Sequence, residues 1–173
     1  MAKLNLDRYI QIAMGVMVVL LITAIYAPLH ETLVQVGDTA PDFSIKADNG
    51  RTYTRADFGG KLLILNFWAT WCPPCREELP SLDALQRTLG PKGLVVLAVS
   101  VDKDEKLYRT FLEVNRVAIT TARNPSQDIN REYGTVQFPE SYIIDRNGKV
   151  VEKIISSTNW MDERMVSHVQ SLL

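Results

Sequence analysis

Cys72 and Cys75 are the only cysteines of the 173-residue chain, and they stand two residues apart in Trp71-Cys72-Pro73-Pro74-Cys75. A thiol pair at this spacing can form a structural disulfide, join a metal site, or cycle between dithiol and disulfide. A structural bridge here would close a loop of only two residues and remove little unfolded-state entropy. Zinc needs about four ligands, and beyond the pair the chain offers only the distant His30 and His168. The remaining reading is a reversible redox couple in which a thiolate is the nucleophile and neither metal nor cofactor is required.

Such a pair must be held by what flanks it. Lys61-Leu62-Leu63-Ile64-Leu65-Asn66-Phe67-Trp68 is a mostly apolar run of strand length behind Gly59-Gly60, as expected for a strand buried in mid-sheet. Downstream, Leu79, Leu82, Leu85 and Leu89 recur at helical spacing until Gly90-Pro91. The pair therefore falls at a strand-to-helix junction, where unpaired amides and the positive end of the helix dipole favour the thiolate of the first cysteine. Pro73 and Pro74 lack N–H groups, so within the motif only the Cys75 N–H, and beyond it later residues, can solvate that thiolate. Weak thiolate stabilisation makes a dithiol the better reductant, so the expected direction is disulfide reduction, with an oxidase or isomerase as the alternative.

The rest of the chain completes a sheet around the junction. Leu94 to Val101 is a second continuous apolar run, giving a strand-helix-strand unit. Residues 104–115 predict an amphipathic helix, 117–121 a short strand and 126–133 a short helix. Residues 141–145 and 150–155 predict strands around an Asn147-Gly148 hairpin turn. The last helix is expected to start near Asn159 as N-cap and to present Met165, Val166, Val169 and Leu172 to the core. Before all of these, Phe43 and Ile45 alternate with polar residues and Asp48-Asn49-Gly50 turns into Arg51-Thr52-Tyr53, an N-terminal hairpin. The expected class is α/β, a mixed central sheet with helices on both faces.

The N-terminus is of different material. Tyr9 to Leu29 carries no charge, and its 21 residues would span about 31 Å as a helix, close to the thickness of a bilayer core. A cleaved signal peptide has a shorter apolar region and an Ala-x-Ala site; here Ala24 and Ala27 are one residue too far apart. Lys3 and Arg8 precede the span, whereas Glu31, Asp38 and Asp42 follow it before the first downstream cation, Lys46. That asymmetry predicts a single-pass anchor in the cell (inner) membrane with the catalytic domain extracytoplasmic, in the periplasm where there is one. The expected divisions are an anchor over 1–30, a linker over 31–36 and one folded domain over 37–173. A net charge of -1 and no basic run argue against a nucleic-acid partner.

Phe67-Trp68-Ala69-Thr70-Trp71-Cys72-Pro73-Pro74-Cys75, with Pro80 after it and Phe138-Pro139 before the hairpin, resembles a thioredoxin fold. The anchor, Ala40-Pro41-Asp42-Phe43, and the inserted helix and strand between Asp102 and Thr121 resemble more narrowly the membrane-tethered TlpA/ResA class of thiol-disulfide reductases. The resemblance implies Cys72 as attacking and Cys75 as resolving cysteine, and Pro139 as a cis-proline facing them rather than a plain strand-start proline. It implies a protein thiol or disulfide as substrate, with Trp71, Phe138, Pro139 and Glu140 as the docking residues. It implies a role in cytochrome c maturation, with apocytochrome c thiols as substrate; a reductase working in an oxidising compartment would in turn need electrons from an integral membrane donor. Phe138 is larger than the residue this class usually places there.

Two acidic positions follow from the same comparison. Thioredoxins carry a buried aspartate at the position of Asn66, and asparagine cannot act as a base. Glu78, three residues after Cys75 and so on its helical face, matches the glutamate of the TlpA/ResA class. Buried, it would have a raised pKa and could take the Cys75 proton; the alternative is a solvated surface glutamate. Glu140 stands either near the sulfurs or as an exposed strand-start charge. A peroxiredoxin-like thiol peroxidase would share Ala-Pro-Asp-Phe, but its Thr-x-x-Cys needs threonine where this chain has Ala69. A non-catalytic scaffold would not need both sulfurs. Pro80 is expected to bend its helix by clashing with the Arg76 carbonyl.

Overall fold

The computed structural model describes residues 2–30 and 33–173, in two units that divide between Leu33 and Val34. The first unit is α1 (Ala2–His30). Its stretch Asp7–Ile25 is 19 residues of exposed apolar helix, about 28 Å at the α-helical rise and long enough to cross a hydrocarbon core. Of the expected linker, residues 31 and 32 lie outside the described residues. Val34 belongs to the second unit: it is buried, and its N–H bonds to the Tyr133 carbonyl. An apolar side chain beside an apolar sheet face gains more by burial than by extending a solvated linker, so the compact unit starts ahead of Gly37.

The second unit is a five-stranded sheet in the order β5-β4-β3-β6-β7. Its strands are β3 (Leu62–Trp68), β4 (Leu94–Ser100), β5 (Thr120–Arg123), β6 (Glu140–Ile144) and β7 (Val150–Ile155). β3, β4 and β5 run parallel, and β6 and β7 complete the sheet antiparallel. Every residue of β3 is buried because it is central and covered on both faces, which is why it reads as a continuous apolar run rather than an alternating one.

Three helices, α2 (Pro73–Leu89), α3 (Glu105–Asn115) and α5 (Glu163–Ser171), share one face of the sheet. They bury Leu79, Leu82, Leu85, Leu89, Tyr108 and Val169 against Leu62, Ile64 and Trp68, with Trp160 filling the space before α5. The opposite face, carrying Leu63, Leu65 and Phe67, is closed by the single turn α4 (Asp128–Glu132), the hairpin of β1 (Ser44–Lys46) and β2 (Thr52–Thr54), and the segment from Val34. The N-terminal hairpin and the α3-β5 insertion expected from the sequence are both present.

β4 and β6 differ from expectation by a single residue at their ends, and three larger differences each have a local reason. The strand foreseen over 117–121 is Thr120–Arg123. Arg116 takes a left-handed conformation (φ 50°) and the Val117 N–H returns to the Leu112 carbonyl, so the end of α3 uses residues that would have begun the strand. α4 starts at Asp128 rather than Ser126 because Gln127 is also left-handed (φ 57°) and the side chains of Asn124 and Ser126 are engaged with Asp128. α5 is capped by Asp162, which accepts from the Arg164 N–H at 3.0 Å, not by Asn159. Asn159 closes the preceding turn by accepting from the Met161 N–H, with Trp160 fully buried between them. Pro80 lies inside α2, which continues to Leu89.

Candidate active site

The start of α2 is built by the redox motif itself. Cys72 is the N-cap, in extended backbone, and Pro73 and Pro74 occupy the first helical positions, where a missing N–H costs nothing. The cysteines form a disulfide with Cα atoms 5.3 Å apart. The first N–H of the helix belongs to Cys75 and reaches Cys72 Sγ at 3.3 Å. Cys72 retains 5% exposure while Cys75 has none, so of the two residues only Cys72 touches solvent.

The loop leading into the helix is held from the neighbouring strand. Asp102, just past β4 and buried, accepts from the Thr70 N–H at 2.9 Å and from the Thr70 hydroxyl at 2.7 Å, and the Ser100 hydroxyl completes the cluster. Sequence reasoning did not find this anchor; an acid directly after a buried parallel strand, next to the sheet end that carries the motif, was the available signal.

Glu78 sits below the disulfide. It is buried at 3% exposure on the helix face that meets β3, one turn after Cys75. Its Oε1 accepts from Asn66 Nδ2 at 2.8 Å and its Oε2 from the Thr158 N–H at 3.1 Å. Burial pushes its carboxyl up to about 7, against the pull of the Thr158 N–H and the Asn66 amide and, more weakly, of the Trp160 indole, which stops short of a hydrogen bond. A carboxyl poised there can accept and release a proton near neutral pH. Asn66 also donates to Ser141 Oγ at 2.9 Å, in register across β3 and β6. Asn66, Ser141 and Thr158 join the site from three elements; Ser141 and Thr158 went unforeseen because no local pattern links them to Glu78.

The Phe138-Pro139 peptide is cis. Trp71, 63% exposed, meets Phe138 edge to face with ring centroids 5.9 Å apart, so an aromatic pair adjoins Cys72. The Pro139 carbonyl is taken by the Ser156 N–H, whereas among the described residues the Phe138 backbone has no hydrogen-bond partner. Glu140 is neither an exposed charge nor a companion of Glu78. It lies opposite Phe67 in the β3-β6 register, on the other face of the sheet from Asn66, fully buried with Lys153 Nζ at 2.9 Å and the Tyr142 hydroxyl on its Oε1. Burial and that bond push the Tyr142 phenol up. The structure thus gathers Cys72, Cys75 and Glu78 on the α2 side, sets the exposed Trp71 and half-buried Phe138 beside Cys72 with Pro139 itself buried, and turns Glu140 away. No cluster of metal-ligating side chains occurs among the described residues.

Residues 36–153 match the model of the AhpC/TSA family. The chain is 34% identical to the thiol-disulfide oxidoreductase ResA of Geobacillus thermodenitrificans, over 83% of this chain and 81% of that one. It is 38% identical to the thioredoxin-like protein YneN of Bacillus subtilis, over 69% of this chain and 71% of the relative. Among solved structures, a thiol:disulfide interchange protein DsbE from Chlorobium tepidum superposes with a TM-score of 0.75 at 32% identity, covering 80% of this chain and 98% of the other.

Proposed function

The chain belongs to the AhpC/TSA family and is a thiol-disulfide oxidoreductase of the ResA type, and from that premise we propose that it works as a membrane-tethered, extracytoplasmic disulfide reductase. The observation that carries this reading is a buried carboxyl near neutrality one helical turn below a buried second cysteine, beneath a first cysteine that touches solvent.

The steps follow from that geometry. In the reduced domain the Cys72 thiolate attacks one sulfur of a substrate disulfide and expels the other as a thiolate, leaving a mixed disulfide. Glu78 accepts the proton of Cys75. The Cys75 thiolate then attacks Cys72 Sγ and releases the second substrate sulfur, so two electrons pass to the substrate and the domain ends as the Cys72–Cys75 disulfide. Trp71 and Phe138 offer an apolar platform, and the unpartnered Phe138 backbone offers an N–H and a C=O to an extended substrate segment. The single Cys75 N–H on Cys72 Sγ supports reduction over oxidation, since strong oxidases stabilise the thiolate far more. In an oxidising compartment the disulfide would be reset by an integral membrane donor, and the apolar stretch of α1 would hold the domain within its reach. The substrate class proposed is the disulfide formed by the paired cysteines of apocytochrome c, which leaves as paired thiols.

The test is a trap. In cells carrying Cys75→Ser the mixed disulfide on Cys72 cannot resolve; captured and identified by mass, its partner should be a cytochrome c precursor or another extracytoplasmic protein with paired cysteines. Recovery of cytoplasmic proteins alone, or turnover of peroxide by the parent, would overturn the reading.

A further inference from the structure

Asn66 is wholly buried, and its amide is used unevenly. Nδ2 donates twice, to Glu78 Oε1 at 2.8 Å and to Ser141 Oγ at 2.9 Å, whereas Oδ1 meets no donor among the described residues. An idle acceptor inside a protein is costly, and an apolar side chain of the same shape would avoid the cost. A second state in which the oxygen is used accounts for the amide.

The partners supply that state, because each can reverse its role. Glu78 accepts when ionised and donates when protonated, and the Ser141 hydroxyl does either. A half-turn of the amide about χ2 exchanges nitrogen and oxygen with almost no change of shape. With Glu78 protonated, the present orientation would set N–H against O–H; the turned one accepts from Glu78 and Ser141 together.

We propose that the Asn66 amide is a two-position partner of Glu78: Nδ2 donates to the carboxylate, and after a half-turn Oδ1 accepts from the carboxylic acid, with Ser141 passing from acceptor to donor. Asn66 is then a positioning residue, and its functional weight rests on Glu78 being the proton acceptor. The groups that face Glu78 are Asn66 from β3 and the Thr158 N–H and the Trp160 indole from the turn before α5, and Cys75 precedes it by three residues on its own helix. None carries a charge while the disulfide is closed, so burial and these dipoles alone govern its ionisation. During turnover the turned amide would place a donor where the idle oxygen now lies at the step that leaves Cys75 as a thiolate.

The experiment is a titration of the oxidised full-length chain in detergent micelles, labelled with 15N in asparagine and 13C at the glutamate carboxyl, from about pH 5 to 9. Glu78→Gln identifies the Glu78 signal and Asn66→Leu the side-chain amide of Asn66. The Asn66 amide shifts should move with the same midpoint as Glu78 and stay constant in Glu78→Gln. Asn66→Leu should raise the Glu78 midpoint by about one unit, because the bond to the anion is the stronger of the two that are lost. Should Asn66→Leu not fold, Ser141→Ala identifies the same amide by perturbing it while the common midpoint persists. An Asn66 amide that stays constant while Glu78 titrates would overturn the proposal. Disulfide turnover is read separately: normal turnover in Glu78→Gln would remove the base role, and the switch itself would then stand or fall on the shared midpoint.

Discussion

Replacing Glu78 by glutamine should slow the chemistry and stabilise the fold at alkaline pH, and both effects follow from the position of one carboxyl. Burial raises it from 4.5 to about 7. At about 1.36 kcal/mol per unit the gap is worth roughly 3 kcal/mol. Between those pH values the folded chain keeps a proton that the unfolded chain has released, so stability falls as pH rises. The favourable share is complete below about pH 4.5 and gone above about pH 7. Glutamine does not titrate, so its melting temperature should lack this fall. Relative to the variant, the parent should lose on the order of 6–12 °C between pH 5 and 8, at roughly 2–4 °C per kcal/mol. The rate moves oppositely: only about 3% of the parent carboxyl is ionised at pH 5.5 and half at pH 7, so resolution of the mixed disulfide should rise about tenfold per unit and then level off. Stopped-flow mixing of the reduced protein with a model disulfide should show about 10²–10⁴-fold slower resolution in Glu78→Gln, an accumulating mixed disulfide, and partial rescue at high pH. Equal turnover from pH 6 to 9 together with parallel melting curves would refute both the burial cost and the base role.

Three further outcomes are expected. Trp71→Ala should leave stability within about 0.5 kcal/mol, because the ring is 63% exposed, yet raise KM for a protein disulfide while sparing a small one; an equal loss on both substrates would place Trp71 outside the docking surface. Asp102→Ala should cost about 2–3 kcal/mol in denaturant unfolding, since it strands the Thr70 N–H and hydroxyl, and Asp102→Asn should restore part of it; a change under about 0.5 kcal/mol would dismiss the anchor. A reporter fused after Leu173 should be active only in a form that works outside the cytoplasm, and activity of a cytoplasm-only reporter would reverse the proposed topology.

What could be read from the sequence was what local spacing decides. The strand-helix junction, the Cys72 N-cap and the inward turn of Glu78 all depend on residues within one or two helical turns of each other. The partners of Glu78 do not. Ser141 reaches Asn66 across 75 residues, and Thr158 reaches Glu78 across 80. Those contacts exist only once β6 has found its register on β3 and the turn before α5 has buried Trp160. Glu140 shows the same limit sharply: a shift of one residue in register exchanges the two faces of a strand, and the run after Pro139 carries no pattern that settles which face its first residue takes. The observed register pairs it with Phe67, so its charge is answered by Lys153 and not by the sulfurs.

If Glu78 is the base as proposed, the neutral residue on β3 is part of the acid-base design rather than a loss from it. Were Asn66 an aspartate, two carboxyls would share a buried site at hydrogen-bond distance, and one of the two would be forced to stay protonated well above neutrality. Proton transfer to that member would cease to be reversible at working pH. With the acid on α2 and an amide on β3, a single carboxyl titrates, and the Thr158 N–H and Asn66 Nδ2 hold it near 7 against a burial penalty that would otherwise carry it higher. A base on the helix, as proposed for Glu78, would therefore require the strand position to be a neutral group able to donate, and asparagine meets that requirement in the space an aspartate would fill.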